Sequence, residues 1–213
     1  MKKILLKCHY QNKLETDFKN KKFGTFEIEK SKKIVIVGNG PSVMNNKFGE
    51  LIDSFDIVVR INHYKPNEYV GHKMDYFVFA PSNIKFFNQE IYDKCKNLLN
   101  WDVHNLPSFY DDKEKTINID SRKINDFFHK NFGFQTPPRR PIVSTGIAAI
   151  MIFLNKNPSD KVYIYGFDGL KYHEKVHYFE DKIQTGDIHS SRLEVNFVET
   201  MIQKGKIARL ENI

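Results

Sequence analysis

Cysteine and long uncharged stretches are both scarce in this chain, and each shortage closes off a class of protein. Only Cys8 and Cys95 occur among the 213 residues, far apart and without metal-ligand spacing, which excludes a disulfide framework and a cysteine zinc site. No uncharged stretch is long enough to cross a bilayer, and Met1-Lys2-Lys3-Ile4-Leu5-Leu6-Lys7 is too briefly apolar for a signal-peptide core. The expectation is a chain that stays in a reducing cytoplasm. Acidic residues are outnumbered, 26 against 33 Lys and Arg, giving a net charge of +7. That charge favours anionic partners such as nucleotides, with peripheral contact to an anionic inner-membrane surface among them. The lysines are scattered and no patch interleaves them with aromatics, so nucleic acid is not an expected partner.

What is present fits one large α/β domain over 1–213, with 1–32 as a peripheral N-terminal segment. The hydrophobic share is 40%, the aromatic share 14% and the charged share 28%, the composition of a folded, soluble chain. There is no internal repeat and no low-complexity tract. Apolar runs predict core strands at 34–37, 56–62, 75–79 and 161–166, with a last strand about 207–210. Helices are expected at 49–54, at 89–99, through Ile147, Ile150, Met151 and Leu154, and after Ser191 through Leu193, Phe197 and Met201. Residues 100–120 read as irregular, and Pro137-Pro138-Arg139-Arg140-Pro141 as a stiff connector. Alternating strands and helices imply a Rossmann-like, mostly parallel sheet flanked by helices.

The most telling stretch is Ile34-Val35-Ile36-Val37-Gly38-Asn39-Gly40-Pro41-Ser42, where a buried strand opens into a glycine turn. Backbone can approach a phosphate closely at such a turn, with amides pointing outward. The dinucleotide fingerprint needs a third glycine, and Val43 stands in its place. A plain turn at the end of a strand would use only one of the two glycines.

Four segments taken together resemble the four sialyl motifs of the eukaryotic-type sialyltransferases, glycosyltransferase family 29. The long motif resembles Val37-Gly38-Asn39-Gly40, Gly49-Glu50-Leu51-Ile52-Asp53-Ser54-Phe55-Asp56, Val59-Arg60-Ile61-Asn62 and Val70-Gly71-His72-Lys73. The short motif resembles Pro141-Ile142-Val143-Ser144-Thr145-Gly146 through Val162-Tyr163-Ile164-Tyr165-Gly166-Phe167. The third is similar to His177-Tyr178-Phe179, and the very short one to His189 with Glu194 five places on. Family members of the secretory pathway carry a disulfide-forming cysteine in the long and short motifs, and neither motif holds one here, which points to a cytoplasmic relative. Gly38-Asn39-Gly40-Pro41-Ser42 and His189-Ser190 also resemble the bacterial sialyltransferases of family 42.

The resemblance implies a fold of the GT-A type and an inverting transfer of sialic acid from CMP-sialic acid to a hydroxyl of a glycan acceptor, expected to end in galactose. By the same resemblance Gly38, Asn39, Gly40, Asn62, Ser144, Thr145, Gly146 and Gly166 bind the donor, and His177 helps the phosphate leave. Its leaving group carries one phosphate, and Asp-x-Asp is absent from the chain, so neither metal nor cofactor is expected. His189 is the expected general base: an imidazole suits proton abstraction near neutral pH, and a helix N-terminus disfavours its cation. Plainer readings stand beside these. His189 could be a surface loop residue, His177 a satisfied polar residue, Asn39 and Asn62 turn formers, Ser144 and Thr145 helix caps. Glu194 stands third after Ser191, the capping-box spacing, and is expected to support His189 structurally; Arg60 and Asp53 are expected to be structural, pairing or capping inside the fold. A transferase for another CMP-activated acid sugar such as CMP-Kdo, or a CMP-binding module without turnover, would show the same turn.

Overall fold

The first strand, β1 (Ile34–Val37), consists of β-branched residues that are all buried, as expected of a strand covered on both faces. The computed structural model describes residues 23, 26–29, 32–80, 89–100, 115–132, 142–157, 161–169, 177–179 and 191–213. Six more strands follow: β2 (Ile57–Ile61), β3 (Tyr76–Phe79), β4 (Asn97–Asn100), β5 (Thr116–Asn118), β6 (Val162–Tyr165) and β7 (Ile207–Arg209). They form one seven-stranded sheet in the order β5-β4-β3-β2-β1-β6-β7, and every pairing is parallel.

The helices are α1 (Gly49–Asp53), α2 (Gln89–Lys94), α3 (Ser121–Phe132), α4 (Thr145–Lys156) and α5 (Ser191–Gln203). Alternation along β1 sends Ile34 and Ile36 to one face, where α3, α4 and α5 supply Phe128, Ile150 and Phe197. Val35 and Val37 face the other side, with Val43, Ile52 and Leu210. Helix α4 is buried along Ile147 to Leu154, because it lies centrally over the sheet. Each such buried side chain contributes roughly 1.5–3 kcal/mol through area removed from water. On the outer flank, Phe132 of α3 meets Phe197 of α5 edge-on, with ring centroids 5.1 Å apart.

Two expectations change here. The helix expected to run to Leu99 stops at Lys94, and Asn97–Asn100 is strand β4; Leu98 and Leu99 are both fully buried, which a strand covered on both faces achieves with adjacent residues. The middle taken as irregular contains β5, and the amphipathic helix α3 that follows it was not anticipated. Its Ile124, Phe127 and Phe128 lie on one buried stripe.

Register fixes the carboxyl edge. Val37 is level with Arg60 on one side and Tyr165 on the other, so Gly38, Asn62 and Gly166 leave the sheet close together. Chain order runs outward from β1 through β5 on one side and resumes with β6 on the other. The reversal makes β1/β6 the switch point at which open parallel sheets hold ligands.

Arg60, wholly buried in β2, organises the loop beside this edge. Its Nη1 donates to Val70 O at 2.7 Å and its Nε to Lys73 O at 3.0 Å. Burial lowers its pKa to about 10, so the guanidinium stays charged at neutral pH. Asp53 approaches Nη2 at 3.8 Å and accepts from the backbone amides of His72 and Lys73, each at 2.9 Å. Gly71 completes the unit with φ +76, where an added Cβ would meet Asp53 Oδ1 at 2.4 Å. The pairing expected of Arg60 and Asp53 is therefore present, and it closes 70–73 onto α1. Replacing Arg60 with alanine leaves two buried carbonyls and Asp53 without their cation; urea denaturation should show a loss of about 3–5 kcal/mol.

Candidate active site

Beyond β1 the chain turns through Gly38-Asn39-Gly40 and enters a short 3-10 turn, Pro41–Asn45. The glycine amides do not point outward as the motif suggested. Gly38 N donates to Tyr165 O at 2.7 Å and Gly40 N to Gly166 O at 3.0 Å. A Cβ on Gly38 would lie 2.4 Å from Gly166 O, and one on Gly40 would lie 2.5 Å from Asp168 Oδ2. The glycines allow two backbone turns to touch because β1 and β6 end level. Gly166 repays the contact with φ +73; a Cβ there would meet Val43 Cγ1 at 2.4 Å. Tyr165 locks the same junction, its hydroxyl donating to Val43 O at 2.8 Å, and burial pushes its pKa up to about 12.

The two asparagines bind their own backbone and keep one polar atom each. Asn39 Nδ2 donates to Ile61 O at 2.9 Å, which leaves Oδ1 as an acceptor without a partner among the described residues. Asn62 has a left-handed backbone, φ +54, and its Oδ1 accepts from Ala80 N at 3.1 Å. Its Nδ2 is left as a donor. The turn-forming reading is thus correct for Asn62, and it orients the amide that remains.

Segment 177–179 straps across these ends. Tyr178 N donates to Asn39 O at 2.9 Å, while its hydroxyl accepts from Lys65 N and donates to Lys65 O, both at 2.8 Å. Burial raises the Tyr178 pKa, keeping the hydroxyl a donor. His177 stacks on Phe179 at 5.1 Å with planes 8° apart, and His63, next to Asn62, meets Phe179 edge-on at 4.5 Å. The strap brings His177 to the glycine turn, a distance of well over a hundred residues in sequence. His63 joins that cluster without having been singled out from the sequence.

At the start of α4, Ser144 is the cap, its Oγ accepting from Ile147 N at 3.3 Å. The expected phosphate donor role of Ser144 does not fit its other bonds. Its N–H donates to Glu194 Oε1 at 2.7 Å and its O–H to Glu194 Oε2 at 2.8 Å, so both donors are taken. Ala148 N goes to Ser144 O at 2.9 Å. Thr145 and Gly146 keep the amides that a helix leaves unpaired in its first turn, with no bond among the described residues. Gly146 lies against the Phe167 ring, its added Cβ 3.0 Å from Cε1, and the other edge of that ring is 3.2 Å from a Cβ on Gly38. Phe167 thus joins the α4 end to the glycine turn.

Glu194 is 6% exposed, and its carboxylate reaches from α5 across to Ser144, a role its capping-box spacing does not announce. His189 and Ser190 lie outside the described residues. Asp168, absent from the sequence reading, accepts from Ser42 N through Oδ2 at 2.9 Å; its position just past the end of core strand β6 was the available signal. Glu194→Ala would strand both Ser144 donors, and equilibrium unfolding should register a loss of roughly 1–3 kcal/mol. Glu194→Gln, which keeps an acceptor, should lose less.

Comparisons with known proteins identify the family and the fold. The sequence model of glycosyltransferase family 29 (sialyltransferase) matches residues 5–121, more than half of the chain. The human CMP-N-acetylneuraminate-beta-galactosamide-alpha-2,3-sialyltransferase 4 is 25% identical over 216 residues, covering 84% of this chain. The chain spans 64% of the length of that curated relative. A mammalian sialyltransferase solved with Gal-beta-1-3GalNAc-ortho-nitrophenol has the same fold at TM-score 0.60 and 20% identity, covering 84% of this chain and 69% of its own. So has CstII of Campylobacter jejuni, solved with the substrate analogue cytidine-5'-monophosphate, at TM-score 0.59 and 20% identity, over 86% of this chain and 81% of its own. The chain belongs to glycosyltransferase family 29, the sialyltransferase family.

Proposed function

We propose that the chain is a GT-A-type transferase that moves sialic acid from CMP-sialic acid to a hydroxyl of a galactose-containing glycan, with inversion and without a metal ion. The observation that carries this reading is the bond from Tyr178 N to Asn39 O at 2.9 Å. It holds His177 at the switch-point crevice, on whose other side lie the open amides of Thr145 and Gly146. Those amides and the positive end of α4 suit one phosphate, and His177 and Asn62 Nδ2 add side-chain donors.

In the proposed step the acceptor oxygen forms a bond to the anomeric carbon as the bond from that carbon to the phosphate oxygen breaks. The hydroxyl proton passes to His189, and CMP leaves with the bonding pair, its charge met by the donors around His177. Attack from the face opposite the phosphate inverts the anomeric centre. Glu194 holds the first turn of α5 to Ser144, which fixes the helix that follows His189 in the chain against the helix that would hold the phosphate. The lack of an Asp-x-Asp motif in the sequence supports a site that neutralises the leaving group without a bridging cation.

Release of CMP from CMP-sialic acid and transfer to a galactoside panel test the reading together. His189→Ala should lower transfer by about 10²–10⁴-fold with CMP binding retained. His177→Ala should lower kcat by roughly 10²–10³-fold. A protein that binds CMP but turns over no donor with any acceptor would instead be a nucleotide-binding module, and turnover of CMP-Kdo alone would reassign the sugar. Activity should also survive excess EDTA unchanged; a strict requirement for added magnesium or manganese would end the metal-free mechanism.

A further inference from the structure

We propose that Asp168 reads the ribose of the nucleotide, accepting a hydrogen bond from its hydroxyls through Oδ1. This deepens the proposed function and rests on it. The carboxylate is built in: Oδ2 accepts from Ser42 N at 2.9 Å, and an added Cβ on Gly40 would meet Oδ2 at 2.5 Å and Cγ at 2.7 Å. The group therefore lies against the glycine turn and cannot swing away without losing the amide. Oδ1 has no partner among the described residues, and the residue is half-buried. An ionised carboxylate offers about four acceptor positions, and here the protein fills one.

The chemistry of the surroundings selects what fills the rest. Asp168 follows β6 at the switch point, where a nucleotide lies in parallel sheets and where a carboxylate beyond a strand serves ribose hydroxyls in other folds of this kind. A fixed negative charge repels phosphate, so Asp168 does not belong to the leaving-group donors. On the opposite side of Gly40, Asn39 Oδ1 is also left as an acceptor by the bond its Nδ2 makes to Ile61 O. Two acceptors flanking the turn call for hydroxyl or amine donors. In a nucleoside monophosphate the ribose hydroxyls stand nearest the phosphate, as Asp168 stands nearest the turn that carries the His177 strap; the cytosine amine lies at the far end.

Calorimetric titration with CMP and with 2',3'-dideoxy-CMP tests this, on the wild-type protein, Asp168→Ala and Asp168→Asn. The wild type should prefer CMP by about 10- to 100-fold, the range for hydrogen bonds to a charged group, and Asp168→Ala should bind the two nearly alike. If Asp168→Ala fails to fold by circular dichroism, Asp168→Asn keeps an acceptor for Ser42 N and carries the test, with the preference falling to a few-fold. A wild type indifferent to the hydroxyls overturns the proposal. So does a folded variant that weakens both nucleotides equally with the preference intact, since Asp168 would then only brace the turn. Absence of any CMP binding by the wild type would instead fail the proposed function itself, and this assignment with it.

Discussion

Everything at the carboxyl edge depends on the contact between two backbone turns, one leaving β1 and one leaving β6. Gly38 and Gly40 donate to Tyr165 and Gly166 across a gap that admits no Cβ on either side. Two level strands could not otherwise bring their exits into touch. The junction consumes the amides that a glycine turn usually offers an anion, so on the proposed reading recognition passes to groups mounted around it: the Asn39 and Asn62 side chains, the strap through His177, and the first turn of α4. The polar atoms left over on Asn39 and Asn62 are oriented by the bonds their own side chains make to backbone.

Electrostatically the crevice is more balanced than the net charge of +7 suggests. Asp168 sits against the amide of Ser42 and Glu194 against that of Ser144, each a charge-assisted bond. A carboxylate at the cap of α4 offsets part of the helix dipole that would otherwise draw an anion. On the proposed reading this moderates the grip on CMP, which must also depart as product; interactions equally strong in ground and transition states lower KM without raising kcat.

The central strands were legible because β1, β2, β3 and β6 are nearly unbroken apolar runs, and the one interruption, Arg60, is neutralised by partners that the same motif supplies. Ser144 as a helix cap was legible as well. What escaped has one physical origin: contacts between residues distant in sequence. Glu194 has local spacing for a capping box, yet its carboxylate meets Ser144, fifty residues away. The glycines announced a close approach without saying what approached, and another turn of the same chain fills the place imagined for a phosphate. Leu98 and Leu99 read as a helix because adjacent apolar residues carry no period; only the neighbouring strands reveal that both faces are covered. Asp168 followed a strand end that had been identified, but nothing nearby marked its carboxylate as fixed.

The division between frame and chemistry also runs along the chain. Residues 5–121, the span matched by the family model, contain β1 to β5, the Arg60 loop and both asparagines: the frame of the crevice. The α4 cap, the Gly166-Phe167-Asp168 turn, the His177 strap and the α5 carboxylate all come later. Membership of the family is therefore carried mainly by architecture, whose glycines and buried arginine tolerate little change because each fills a space with no slack. On the proposed reading the later half carries the groups that choose nucleotide, sugar and acceptor, Asp168 among them. The two halves meet at the floor, where the Phe167 ring lies against Gly38 and Gly146 and Tyr178 N donates to Asn39 O, so the frame sets where the later groups sit.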